Sequence, residues 1–534
     1  MIRPFVLGIL VAIAGTHAIF AAATPQRKPN ILFFLVDDLG WQDTAIAFDV
    51  RRSDIQKYYR TPNLQRLAQQ GVQFTSAYAQ PVCTPSRVSM ISGMNSARSG
   101  VTFWTAPVTN ALNEGTLRDT SITFHAPRWN RHGGQPETAT NIVDSCPFTP
   151  LPALLKQGGY YTIHCGKAHF APRDTPGADP LNLGYDLNIG GCESSSPIRH
   201  DTRTKNPWYP PEGSQKYPNL SAYLDGKTHL TDALTHAAMD ALERWRTTPS
   251  TQQKPFYLAL SHYAVHTPLH AHLSSPFASD ESLVEHYTSA LEMREAQRKY
   301  ATMVEGMDAS LGALMRYLHT HMDPEGHPLA ENTVIVFFSD NGGHAIENVR
   351  GDAVNYPLRD GKGSRSEGGI RVPLVIHWPG VTTTATTCKT PVICEDLFST
   401  ILALSGSPKK TAQTVDGVDL TPLLRGEPPA DLHQRPLLFH TPHVWAENTT
   451  LPTFYPSTAL IQGDYKLIYC HIRQTYTLFN LRTDIGETTN LAEQEPQQLA
   501  LLKKSMCDLL TRYHAQMPEV GLAGKPVQRV SLPH

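Results

Sequence analysis

Residues 30–40 read NILFFLVDDLG, an uncharged apolar run, Asn30–Val36, that stops at two carboxylates, Asp37 and Asp38. A run this short with no polar alternation reads as a strand buried on both faces, as in a parallel sheet covered by helices on each side. Tyr160–Cys165, Pro255–Ser261, Thr333–Ser339 and Val372–Trp378 have the same character. Standing between helical patterns, these runs predict an α/β protein with a mostly parallel sheet. The residues at their carboxyl ends are more telling. Asn30–Val36 leads into Asp37-Asp38, Tyr160–Cys165 into Gly166-Lys167-Ala168-His169, Pro255–Ser261 into His266, and Thr333–Ser339 into Asp340-Asn341. Ligands of open α/β sheets bind beyond the carboxyl ends of the strands, so these polar residues are expected to share one site.

Outward from the runs, Thr61-Pro62 followed by Leu64, Leu67 and Gly71 reads as a helix with an N-cap, a first-turn proline and a glycine stop; Pro152 to Gly158 reads as a shorter one. After the turn at Glu427-Pro428-Pro429 the pattern changes. Leu437–His440, Ala459–Ile461 and Tyr465–Tyr469 resemble short strands of a small sheet, with a helix over Gln497–Tyr513. The expected organisation is two unequal domains, 24–430 and 431–534, without internal repeats.

The 534 residues can bury a large core, and a charged fraction of 18% against 40% apolar is that of a folded globular chain. A net charge of -2 supplies no field for nucleic acid, so an anionic substrate must be held by a few local cations. Arg3, the apolar stretch Phe5–Phe20 and Ala21-Ala22-Ala23 match a signal peptide over 1–23 with the mature chain starting near Thr24; a signal anchor is the alternative. The expectation is a secreted or periplasmic protein, free of the membrane once the signal is cleaved. Cys83, Cys146, Cys165, Cys192, Cys388, Cys394, Cys470 and Cys507 are too sparse for a disulfide scaffold and form no CxxC motif.

The most specific segment is Pro81-Val82-Cys83-Thr84-Pro85-Ser86-Arg87, which contains Cys-x-Pro-Ser-Arg. With it the chain resembles the type I, formylglycine-dependent sulfatases of the alkaline-phosphatase superfamily, over roughly Pro29 to Gly406 and again over Leu478–Ala492. The resemblance implies an alkaline-phosphatase-like mixed sheet flanked by helices, with a smaller C-terminal antiparallel sheet plus helix. It further implies that a separate maturation enzyme oxidises Cys83 to formylglycine. The chemical reason is direct: a hydrated aldehyde has two hydroxyls, one to attack sulfur and one to expel the sulfate, whereas Ser or Cys would remain trapped.

Asp37, Asp38, Asp340 and Asn341, with the modified Cys83, match the family's metal ligands, and their oxygen chemistry suits calcium better than zinc. Arg87, Lys167, His169 and Lys362 resemble the family's set around nucleophile and sulfate. Lys362 sits in Pro357–Gly363, followed by Glu367–Pro373, a block recurrent in sulfatases. His266, in Ser261–Pro268, stands where the family places a His beside the leaving-group oxygen, with His262 and His270 as alternatives. Ser92-Gly93-Met94 stands where many sulfatases carry Thr-Gly-Arg, and Cys165 and Ala168 flank Lys167 atypically, but no catalytic group is missing.

The expected activity is hydrolysis of a sulfated glycan to alcohol and inorganic sulfate. Ser96–Thr105 and Ala168–Asp186 resemble bacterial carbohydrate sulfatases acting on 4-O-sulfated galactose or N-acetylgalactosamine. A phosphonate monoester or phosphodiester hydrolase of the same superfamily, and a non-catalytic sulfoglycan-binding protein, are the rival functions.

Overall fold

Successive side chains of Asn30–Val36 (β1) enter two separate cores: Leu32, Phe34 and Val36 on one face, Ile31, Phe33 and Leu35 on the other. The period of two, applied to a run with no polar residue after Asn30, is what gives a sheet covered on both sides. The computed structural model describes residues 27–105, 122–125, 146–173, 175–197, 218–272, 274–278, 294–344, 355–444, 452–522 and 528–529. The expected signal peptide, 1–23, lies outside the described residues.

The main sheet also contains Val72–Phe74 (β2), Tyr161–Gly166 (β3), Leu187–Ile189 (β4), Phe256–Ser261 (β5), Thr333–Ser339 (β6), Leu374–His377 (β7) and Thr386–Cys388 (β8). Its order is β8-β2-β7-β6-β1-β5-β3-β4. β7 runs antiparallel to both of its neighbours, and every other pairing is parallel, so the sheet is mixed as expected. Helices Pro62–Gln69 (α1), Leu230–Thr247 and Glu295–Thr320 cover the Leu32 face; Cys83–Ser92, Leu151–Gln157 and Asp396–Ser405 cover the other.

Thr61 occupies the N-cap position of α1, but its hydroxyl accepts from Ala45 N at 2.8 Å instead of capping the helix. The cap comes from the neighbouring long helix. Asp308 accepts from Asn63 N at 3.0 Å and Leu64 N at 2.8 Å, satisfying first-turn donors that α1 cannot pair internally.

Leu437–Thr441 (β9), Ser457–Gln462 (β10), Tyr465–Cys470 (β11) and Thr475–Asn480 (β12) form a separate antiparallel meander. Its alternation again divides two cores. Leu437, Phe439, Ala459 and Ile461 join the Ile31 core of the main sheet, while Leu438, Leu460, Leu467 and Leu478 pack with Leu502, Met506 and Leu509 of the helix Pro496–Arg512. No helix among the described residues is long and apolar enough to cross a membrane.

The meander is locked to the rest of the fold by a buried ionic cluster. Lys466 Nζ of β11 lies 2.8 Å from Glu367 Oε1 and 3.0 Å from Glu487 Oε1, all three side chains being fully enclosed. Glu367 also takes Arg371 Nη1 at 3.0 Å and the Tyr78 hydroxyl at 3.1 Å. Burial pushes the Glu487 carboxyl up, against the pull of Lys466 and Arg359. Removing one partner of such a set leaves uncompensated buried charge, so Lys466→Met is expected to lower unfolding free energy by about 3–5 kcal/mol. Urea denaturation checks this, and an unchanged midpoint would show that the cluster adds nothing to stability.

Candidate active site

Because β1, β3, β5 and β6 are parallel, their carboxyl ends emerge on one side, and the loops leaving them interlock. Asp37 N donates to Ala264 O at 3.0 Å, Lys167 N to Ser261 O at 2.8 Å and Asp340 N to Val36 O at 3.1 Å. The residues expected to share one site are therefore brought together, beside the first turn of the helix Cys83–Ser92.

Three carboxylates and three cations meet there, nearly all wholly buried. Arg87 donates from Nε to Asp340 Oδ2 (2.8 Å) and from Nη1 to Lys167 O (2.8 Å) and Ser261 Oγ (2.6 Å). Lys167 Nζ donates to Asp37 Oδ2 at 2.6 Å. Lys362 Nζ lies 2.7 and 2.9 Å from the two oxygens of Asp38, and Asn341 Nδ2 donates to Asp38 Oδ1 at 2.8 Å. His266 Nε2 lies 3.6 Å from Asp38 Oδ2. His169 Nδ1 lies 3.4 Å from Cys83 Sγ. Every catalytic or metal-binding residue assigned from the sequence thus joins one cluster. The alternative His262 does not: its Nε2 meets Ser310 Oγ at 2.9 Å and its ring packs on Phe34, inside the core.

The electrostatics reflect burial. Burial, with the facing carboxylates Asp340 and Asp38, pushes Asp37 well above the ordinary carboxylate range. Burial also acts upward on Asp38, but Lys362, His266 and Lys167 outweigh it and hold that carboxyl well below its ordinary range. The Cys83 thiol is raised by burial. His169 is pushed well down by burial, Lys167 and Arg87, so its ring is neutral at neutral pH. Its Nε2 faces Thr105 O at 3.3 Å, an acceptor only, which places the proton on Nε2 and the lone pair on Nδ1, toward Cys83. His266 is lowered by burial and Lys362; its Nδ1 meets Thr267 O at 2.6 Å, so Nε2 is the atom presented to Asp38.

Asp37 Oδ1 and Asn341 Oδ1 are buried oxygens that accept no hydrogen bond. Ligand atoms of Asp37, Asp38 and His266 lie within 4.8 Å of one another. Unsatisfied anionic and amide oxygens converging beside a crowded carboxylate set fit a hard divalent cation. Three residues bind the site together without having been singled out from the sequence. Ser261 ends β5 and receives Arg87; Thr84 Oγ1 accepts from Thr105 N at 3.1 Å and lies 3.2 Å from His169 Nε2. Ser261's place at the end of an apolar run was the available signal, whereas Thr105 acts through its backbone, to which a side-chain pattern is blind.

Residues 29–407 match the family model described as sulfatase, and 362–516 match that of the C-terminal region of N-sulphoglucosamine sulphohydrolase. A Formosa agariphila protein named sulfatase is 28% identical over 89% of this chain and 86% of its own. Human N-acetylgalactosamine-6-sulfatase is 28% identical over 88% and 82%. Among solved structures, Ps i-CgsB in complex with k-i-k-neocarrahexaose superposes with a TM-score of 0.65 at 26% identity, covering 91% of this chain and 93% of that one.

Proposed function

The chain belongs to the sulfatase family and is a sulfuric-ester hydrolase, and from that premise we propose that it releases sulfate from a sulfated carbohydrate through a nucleophile made from Cys83. The observation that carries this reading is His169 Nδ1 lying 3.4 Å from Cys83 Sγ in a cluster that holds three buried cations. The segments Ser96–Thr105 and Ala168–Asp186 support 4-O-sulfated galactose or N-acetylgalactosamine. The name of the human relative favours a second reading, the 6-O-sulfate of N-acetylgalactosamine. Signal cleavage after residue 23, export, division near residue 431 and modification by a separate maturation enzyme belong to the same proposal.

Asp37, Asp38, Asp340, Asn341 and the group at position 83 would hold a calcium ion. When present, the ion polarises a sulfate oxygen, and formylglycine supplies one hydroxyl to attack sulfur and a second to expel the sulfate. The rest falls to the chain's own side chains. His169 Nδ1 takes a proton from the position 83 group. Lys167 and Lys362 supply positive charge for the equatorial sulfate oxygens, in a dry setting where it counts for more than in water. Arg87, with Nε and Nη1 bonded to Asp340, Lys167 O and Ser261, keeps the Cys83 helix seated on the strand ends. His266, its side chain 14% exposed, is the group that returns a proton to the departing sugar oxygen; because burial and Lys362 lower its pKa and its Nδ1 faces Thr267 O, Nε2 first takes that proton up from solvent.

Active protein is expected to carry formylglycine at residue 83, read by mass spectrometry of the tryptic peptide ending at Arg87, and Cys83→Ala is expected to be inactive. Full activity from an unmodified cysteine would sink the mechanism. Sulfate release measured on matched 4-O- and 6-O-sulfated sugars decides between the two substrate readings.

Calcium is expected to restore activity after chelation and to raise thermal stability. At a hundredfold excess over Kd the gain is about 2.7 kcal/mol, and Asn341→Ala should shrink it. Full restoration by zinc alone would show the ligand assignment to be wrong.

A sugar alkoxide is a strong base and needs a proton to leave, whereas nitrophenolate does not. His266→Ala should therefore lose about 10²–10⁴-fold on sugar sulfates and much less on nitrophenyl sulfate. Equal losses on both substrates would move the acid role to Lys362 or His169.

A further inference from the structure

Asn355 precedes the Pro357–Gly363 block and looks, from sequence, like ordinary turn chemistry. Its backbone does close a turn, with Leu358 N donating to Asn355 O at 2.8 Å. That bond needs nothing from the side chain. The carboxamide is instead 3% exposed, and its Nδ2 donates to three carbonyls from separate stretches: Gly343 O at 3.0 Å, Asp360 O at 2.9 Å and Gly368 O at 3.1 Å. Gly343 lies just past Asp340-Asn341, while Asp360 and Gly368 flank Lys362. Lys362 N itself donates to Gly343 O at 3.0 Å, and Gly342 N to Gly369 O at 3.0 Å. The loop leaving β1 is pressed onto the same amide: a Cβ on Gly40 would lie 2.7 Å from Asn355 Oδ1 and 2.3 Å from Asp43 Oδ2.

One side chain therefore touches all three loops that deliver Asp37-Asp38, Asp340-Asn341 and Lys362. We propose that Asn355 is a positioning residue for this reaction, holding Lys362 Nζ in register with Asp38 by tying the Lys362 loop to the end of β6. The inference rests on the assignment of Lys362 to the sulfate site. Only a short side chain with two N–H groups on one nitrogen can serve these carbonyls; Asp turns an acceptor toward them, and Ala leaves them without a donor.

Kinetics on nitrophenyl sulfate test this, using Asn355→Asp, Lys362→Ala and the double variant, each checked by circular dichroism and thermal unfolding. Folded Asn355→Asp should lose about 10–100-fold in kcat/KM, as supporting residues behind a site typically do. In the Lys362→Ala background the same substitution should cost less than about threefold, because the group it positions is already gone. Losses that multiply in the double variant, or an Asn355→Asp with full activity beside a crippled Lys362→Ala, would overturn the positioning role alone. Full activity of Lys362→Ala would instead overturn the site assignment, and the proposal with it. Should Asn355→Asp fail to fold, Asn355→Ser and Asn355→Ala take its place; if none folds, the residue is structural and the proposal fails.

Discussion

The guanidinium of Arg87 is the point on which the site is assembled. It has no access to solvent, and its Nε and Nη1 donors find partners inside the protein. Those partners are Asp340 past β6, Lys167 O past β3 and Ser261 Oγ at the end of β5, so a single planar fork fastens the Cys83 helix to three strand ends. A lysine could not replace it, because one point charge lacks the spread of donors that reaches all three. The fork also offsets the charge of Asp340, while burial and the facing carboxylates push Asp37 up.

Lys362 is supported differently, from the small meander. The block that carries it is held through Glu367, which Lys466 of β11 pins together with Glu487. Arg365, fully buried, donates from Nη1 to Gly363 O at 2.7 Å and from Nε to Ser457 Oγ at 2.6 Å, reaching the start of β10. Burial brings its guanidinium down to about 10, and it is satisfied by carbonyls and a hydroxyl. The second sheet thus acts as a backing plate for one cation of the site.

Much of this was legible where the signal is local. The run Asn30–Val36 is a strand to the residue, as is Thr333–Ser339, because a chain buried on both faces admits no polar interruption. The C-terminal helix lies within one residue of its expected bounds. What escaped was non-local or short. β2, β4 and β8 have three residues each, too few for a period to show. β12, TYTLFN, has a polar, partly exposed first half that conceals a strand. The cap of α1 comes from Asp308, 245 residues away from Asn63, and the Asn355 carboxamide acts on carbonyls that no side-chain pattern records. Candidate site residues were readable because charged groups at strand ends stand out against apolar runs; their supports are small polar residues and backbone atoms, which do not.

The enclosure of residue 83 has a temporal side. In the finished fold Cys83 is only 2% exposed, and a macromolecular catalyst has no approach to it. The closed site around it includes late sequence: Arg87 finds its carboxylate partner 253 residues further along the chain. At about 5–20 residues per second a ribosome needs roughly 13–50 s to deliver that partner. During this interval the Cys83 segment has left the ribosome while the groups that will bury it do not yet exist. An enzyme acting on this side chain would find it open only before the fold closes, and the order of the sequence, Cys83 early and Asp340 late, sets the length of that window.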